Sequence, residues 1–172
     1  MIAPFIEALK CENVKNSYRL ILYGNTISNE KWNQLGLSEI AEYRGWLDYS
    51  KDVSTLKDID VFLQLLDDNN VSKAGWPNKL GDYLAFGKPV ILSPYGDIID
   101  FVKNEKGFFI VEYNKYSILK ILQEIKDIPY SDLKTMGYAN RQLAEKISWK
   151  NRAKNIEYIC NKIRFNNETV KN

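Results

Sequence analysis

Two hydrophobic rhythms follow one another along this chain. Up to about residue 114, short aliphatic and aromatic runs alternate with amphipathic stretches, the signature of repeated β-α units around a parallel sheet. Residues 2–11 read as a helix, and Tyr18 to Tyr23 as a strand stopped by Gly24-Asn25. Residues 29–36 form the next helix, with Gly36 as its C-cap, and Ile40 to Arg44 a short strand leading into Gly45-Trp46. Residues 50–57 read as a helical turn or two. Val61 to Leu66 is a nearly continuous apolar run, expected of a strand covered on both faces. Pro77 opens a helix that runs through Phe86 and ends at Gly87. Two more strands follow, Pro89 to Leu92 and Gly107 to Val111.

From residue 115 the strands cease. Ile118, Leu119, Leu122 and Ile125 keep the spacing of one helical face. Residues 130–146 and 149–164 read as two further helices, the second with Ala153, Ile156, Ile159, Cys160 and Ile163 on one side. The expectation is one α/β domain, a parallel sheet flanked by helices, over residues 1–164, with residues 165–172 a flexible, frayed tail.

Composition narrows function more than fold. Of 172 residues, 45% are hydrophobic and 27% charged, as in ordinary globular domains. No apolar run approaches the roughly 18 residues of a membrane span. The N-terminus lacks the basic region and apolar block of a secretory signal. Cys11 and Cys160 lie near opposite ends and form no framework, so a cytoplasmic, reducing setting is expected. Histidine is absent, which excludes a Ser-His or Cys-His nucleophile pair, a histidine base and a His-ligated zinc site. Any catalysis falls to other groups or to another domain.

Charge is unevenly spread: residues 1–114 carry 12 Lys/Arg against 16 Asp/Glu, and residues 115–172 carry 12 against 6. A basic end invites a nucleic-acid or anionic-membrane reading. Its lysines, however, are spaced along helices that also carry Glu124, Asp132, Glu145 and Glu157, which describes a solvated face. No nucleic-acid partner is expected.

In open parallel sheets, ligands bind outside the carboxyl ends of the strands. Three loops leave strands there: Gly24-Asn25-Thr26, Gly45-Trp46, and Asp67 through Lys79, which runs straight into the helix at Pro77. A helix start offers unpaired N–H groups and a positive dipole end, suited to phosphate or hydroxyl-rich ligands. Asp82, about one turn further in, could accept two hydrogen bonds from a ribose or sugar diol. Tyr95-Gly96 leaves another strand at the same edge. Asp67 and Asp68 are adjacent in extended chain and point to opposite faces, a poor arrangement for gripping one metal.

The stretch from Trp76 to Ile91 (Trp76-Pro77-Asn78-Lys79-Leu80-Gly81-Asp82-Tyr83-Leu84-Ala85, then Gly87-Lys88-Pro89-Val90-Ile91) resembles the donor-binding segment of glycosyltransferase family 4. Leu20-Ile21-Leu22-Tyr23-Gly24, Tyr43-Arg44-Gly45-Trp46-Leu47 and Ile59-Asp60-Val61-Phe62-Leu63 resemble further segments of that family in the same order. Ser148-Trp149 with Tyr158 is similar to its final helix, which crosses back to a partner domain. The resemblance spans about residues 5–163. It implies a Rossmann-like domain, the C-terminal donor-binding half of a retaining, metal-independent GT-B transferase that moves a hexose-type sugar from a nucleoside diphosphate. Carried over by position, Asp82 holds the ribose hydroxyls, and Gly75, Trp76 and Asn78 fall in the loop that meets the sugar. Lys79 points toward the diphosphate, Gly24 ends the first strand, and Arg44, Gly45, Trp46 and Leu47 line the base. No catalytic residue and no metal ligand is assigned, and no cofactor is expected beyond the nucleotide sugar as substrate.

Three departures qualify the resemblance. The family's first glutamate, for a sugar hydroxyl, is Ala74 here, and its second is shortened to Asp82. The strand that opens the family's domain has no counterpart; it would lie in the middle of the sheet. The chain is therefore expected to be a fragment, inactive without an N-terminal acceptor domain, with polysaccharide synthesis and peripheral membrane association left to the full-length enzyme. Asp58-Ile59-Asp60 matches the D-x-D metal motif of the other large glycosyltransferase fold, but it precedes the apolar run and so lies at the wrong edge. Two rival readings stay open: a nucleotide-sugar epimerase half, thinly supported by Asp97, and a degenerate, ligand-free interaction module, favoured by Ala74.

Overall fold

The computed structural model describes residues 3–25, 27–48, 51 and 53–169, with side chains described as far as residue 164. Thr26 of the first loop, Ser50 and tail residues 170–172 lie outside them. The elements run α1 (Ala3–Leu9), β1 (Leu20–Leu22), α2 (Asn29–Gln34), β2 (Ala41–Tyr43), a 3₁₀ helix (Val53–Asp58), β3 (Phe62–Gln64), α3 (Asn70–Ala74) and α4 (Asn78–Ala85). There follow β4 (Val90–Leu92), α5 (Ile98–Val102), β5 (Phe108–Ile110), α6 (Lys115–Asp127), α7 (Tyr130–Lys146) and α8 (Trp149–Thr169). All strand pairings are parallel.

Side chains alternate between two layers, as period-two strands require. Leu20, Leu63, Ile91 and Phe109 face one layer, built on Phe5, Ile6 and Leu9 of α1 and Ile118, Leu122 and Ile125 of α6. Phe62, Val90, Leu92 and Phe108 face the other, with Leu80 and Leu84 of α4, Ile98 and Val102 of α5 and Leu143 of α7. The first layer draws on all five strands, with Leu22 and Ala41 beside the residues just named, yet the ladder is split into β1-β2 and β3-β4-β5. The break separates these two ladders, and the family resemblance puts its opening strand in the middle of the sheet. It also explains a difference from the expected profile of Val61 to Leu66. Phe62 is buried, but Leu63, Gln64, Leu65 and Leu66 are only half-buried, because one edge of β3 has no neighbouring ladder. Full two-sided burial belongs to β4 instead, where Val90, Ile91 and Leu92 are all within 2% of complete burial.

Other boundaries shift for local reasons. Asp67 to Lys79 is not a plain loop: Asn69 caps α3 by accepting the Ser72 amide at 2.9 Å. Helix α5 likewise occupies a stretch that carries no evident periodicity. Pro77 sits just before α4, at the N-cap, and Gly87 ends it with φ +66°. Residues 165–169 continue α8, where a frayed tail was expected. No proline or glycine follows Ile163 to stop the helix.

Helix α7 is the strut behind α4. Its Gly137 lies backbone to backbone against Gly87, so close that a Cβ there would collide with the Gly87 carbonyl. Asn140, fully buried, donates from Nδ2 to the Lys88 carbonyl at 2.8 Å and the Gly107 carbonyl at 2.9 Å. Arg141 donates to the Ala85 carbonyl at the end of α4, satisfying a terminal acceptor and the negative dipole end together. The start of α4 is thus held by a helix fastened at its far end.

Candidate functional site

The loops after β1 and β2 are fastened to each other. The Gly24 amide donates to the Gly45 carbonyl at 2.9 Å, and the Tyr43 hydroxyl donates to the Gly24 carbonyl at 2.8 Å. Gly24 (φ +135°) and Gly45 (φ +75°) have open space where a Cβ would be, so backbone conformation rather than crowding calls for glycine. Arg44 is engaged: its Nε donates to Glu42 at 2.8 Å and its Nη1 to the Tyr23 hydroxyl at 3.5 Å. The Tyr23 hydroxyl in turn pairs with Thr55 Oγ1 at 2.9 Å. The hydrogen bond from Arg44 holds the Glu42 carboxyl below its ordinary range, and Glu42 raises the Arg44 guanidinium in return. Trp46 is 73% exposed, so it belongs to the surface and not to the core, the alternative that aromatic size suggests. Leu47 is half-buried.

Tyr23 and Leu47 pack on the same cluster as Leu80 and Leu84, which puts α4 on their face of the sheet. Within α4 the two leucines turn inward, leaving Asn78, Lys79 and Asp82 exposed. Asn78 and Asp82 are one turn apart on one side of the helix. The N-termini of α2, α3 and α6 are closed by Ser28, Asn69 and Asn114, whose side-chain oxygens accept an amide three residues on. Helices α4, α5 and α7 start without such a bond, but α5 and α7 carry Asp100 and Asp132 in their first turns. Among these three, α4 alone presents amides with neither a side-chain cap nor an acid, and adds Lys79. Gly75 is exposed, and the Trp76 ring, 38% exposed, sits edge-on to Phe101 with centroids 5.3 Å apart.

A second polar group gathers at the carboxyl ends of β3, β4 and β5. Asp68 pairs with Lys73 at 2.5 Å, and Tyr95 reaches Glu112 at 3.4 Å. The Tyr113 hydroxyl is buried without a hydrogen bond; burial first, then the charge of Asp67, raises its pKa. Ser93, fully buried, accepts the Leu66 amide at 2.8 Å and ties β3 to β4 just below. Lys73, Glu112 and Tyr113 escape a reading of the sequence because no spacing links them; only the parallel strands bring them together. Asp68 pairs with Lys73, while the Asp67 carbonyl accepts the Asn69 amide at 2.9 Å in a turn. Asp58 and Asp60 precede β3, and Asp60 lines a shallow cleft of about 230 Å³ with Gly87, Lys88, Pro89, Tyr130, Leu133 and Lys134 at the opposite edge of the sheet. Among the described residues no three Cys, Asp or Glu side chains converge, and no helix is long and apolar enough to cross a membrane.

Comparison with known proteins places this architecture. The sequence model of the family described as glycosyl transferases group 1 matches residues 2–143. No sequence among the curated proteins matches the chain. Among solved structures, sucrose-phosphate synthase from Thermosynechococcus elongatus superposes with a TM-score of 0.72 at 16% identity, over 94% of this chain and 42% of that one. HepE from Anabaena, in complex with UDP and glucose, gives 0.63 at 14% identity, over 83% of this chain and 39% of that one. The C-terminal domain of LpcC, a glycosyl transferase group 1 family protein from Francisella tularensis, gives 0.64 at 16% identity, over 84% and 77% respectively. The chain thus spans well under half the length of HepE and of the synthase. At these identities the likeness establishes the Rossmann-like, GT-B type of fold.

Proposed function

The chain belongs to the group 1 glycosyl transferases, and on that premise we propose that it is the donor-binding half of a family 4-like retaining enzyme. The donor is a nucleoside diphosphate hexose. The observation that carries this reading is the open start of α4, with uncapped amides, Lys79 and no acid, on the same face as the loops at Gly24 and Gly45. Fixed N–H dipoles and Lys79 there stabilise the diphosphate as it leaves. In the transfer, the bond from the sugar's anomeric carbon to the phosphate oxygen breaks with its electron pair staying on the diphosphate, an acceptor hydroxyl oxygen bonds to that carbon in its place, and the hydroxyl's proton passes to the departing phosphate oxygen. Asp82 accepts hydrogen bonds from the ribose hydroxyls. Gly75 and Asn78 face the sugar side, and Trp46 and Leu47 flank the base. With Arg44 committed to Glu42, its contribution there is the guanidinium's flat face. No metal is required. HepE, a relative in fold, binds UDP, which makes UDP the first donor fragment to try.

The acceptor side comes from a second domain. The uncovered apolar face of α8 supports this, since Ile156, Ile159 and Ile163 are all more than half exposed. The isolated chain therefore binds donor without turnover, and the full enzyme builds polysaccharide in the cytoplasm. The competing reading, a ligand-free module, is favoured by Ala74. Calorimetric titration with UDP, GDP and ADP and their hexose conjugates separates the two. One diphosphate is expected to saturate, with D82A weakening it about tenfold, the loss of a hydrogen bond to a charged acceptor. No binding by any of them up to millimolar concentration would overturn the reading.

A further inference from the structure

The start of α8 reaches back to the loop that precedes α4. The Arg152 guanidinium lies 5.7 Å from the ring centroid of Trp76 and 5.7 Å from that of Trp149. Trp76 is thereby bracketed, with Arg152 over it and Phe101 of α5 at its edge. Helix electrostatics do not account for Arg152. It lies at the N-terminal end of α8, where the dipole is positive, beside Lys150 and with no acid in the first turn. The aromatic faces offer the compensation that the helix end denies. Trp76 needs such a holder: its amide makes no backbone hydrogen bond among the described residues, and Gly75 before it is exposed.

We propose that Arg152 is a positioning residue for the donor loop, acting through Trp76. By holding the indole against Phe101 it fixes the Gly75–Pro77 bend, and with it the direction in which the first amides of α4 point. This inference rests on the donor-binding reading for its consequence, though not for its geometry. Donor binding and the setting of the first turn of α8 then bias each other, because each acts on the same loop.

The test compares the wild-type chain with R152A and R152K by hydrogen exchange without ligand and by titration with UDP, GDP and ADP. In R152A, exchange of the Leu80 amide, the first of α4 to be hydrogen-bonded and held by the Pro77 carbonyl at 2.9 Å, should rise about two- to fivefold, the range of one exposed cation–π contact, with the melting temperature unchanged. Affinity for whichever diphosphate the wild type binds should fall by a similar factor. R152K, which keeps the cation, should recover most of both effects. Unchanged exchange in R152A, a general rise over the whole domain, or R152K behaving as R152A would each overturn the proposal, as would altered exchange with unaltered affinity. Failure of the wild type to bind any diphosphate sinks the donor reading instead, while exchange of the Leu80 amide still decides whether Arg152 positions the loop.

Discussion

Helices α7 and α8 are neighbours in sequence and opposites in environment. By side-chain pattern α8 looks the better core helix, with isoleucines on one stripe, whereas α7 carries a glycine and an asparagine mid-helix. Yet α7 buries Gly137, Asn140 and Leu143, while every described side chain of α8 except the partly buried Asn151 is exposed, Ile156 at 62%. The difference teaches that periodicity announces a surface wanting cover but not what covers it. Close approach of two backbones, by contrast, requires small residues whose sequence looks unremarkable to a hydrophobicity scale.

The sharpest way to break this comparison is G137V. The added carbons have nowhere to go but into the Gly87 carbonyl, and a loss of about 3 kcal/mol or more is expected in urea unfolding. Next comes N140A, which strips the Lys88 and Gly107 carbonyls of their donor and should cost about 2 kcal/mol. A double-mutant cycle sharpens it: a Cβ at Gly107 would collide with the Asn140 amide, so G107A should cost less in the N140A background than alone.

A smaller effect is expected from the tie on the other layer. The Tyr18 hydroxyl donates to the Leu122 carbonyl of α6, and burial, with the charge of Asp127, pushes its pKa from 10.0 up to about 12. A raised pKa means the neutral phenol is favoured in the fold. Its stabilisation is whole below pH 10 and lost as pH climbs toward 12. Urea midpoints measured across that window should fall more steeply for the wild type than for Y18F. Least of all should move with I159S on α8, within about 0.5 kcal/mol, since the side chain is already largely in water. A large loss there would show that the face is covered in solution by another copy of the chain.

Much of this was legible in the chain itself. Residues 130–146 are bounded as expected because Pro129 fixes the start and the pattern breaks after Lys146. The strands at β1, β2, β4 and β5 lie inside their expected runs, and Gly36 and Gly87 end their helices with positive φ. The short helices α3 and α5 were not legible, since five residues give no period to read. At the candidate site, the open start of α4 follows from Pro77 and from the lack of Ser, Asn or Asp at that cap. The pairing of Arg44 with Glu42, and of Trp76 with Arg152, does not. The first neutralises a residue that reads as a free cation, and the second joins positions far apart in the chain.

What the sequence by itself determined is local: where strands and helices begin and stop, the absence of histidine chemistry, and an amide-bearing helix start with Asp82 one turn on. These depend on backbone preference and side-chain type, which act over a few residues. Tertiary structure alone decided that Gly24 meets Gly45, and that the apolar stripe of α8 faces outward while Asn140 is sealed in. Those outcomes turn on which surfaces meet, and burial is a property of the pair in contact rather than of either segment.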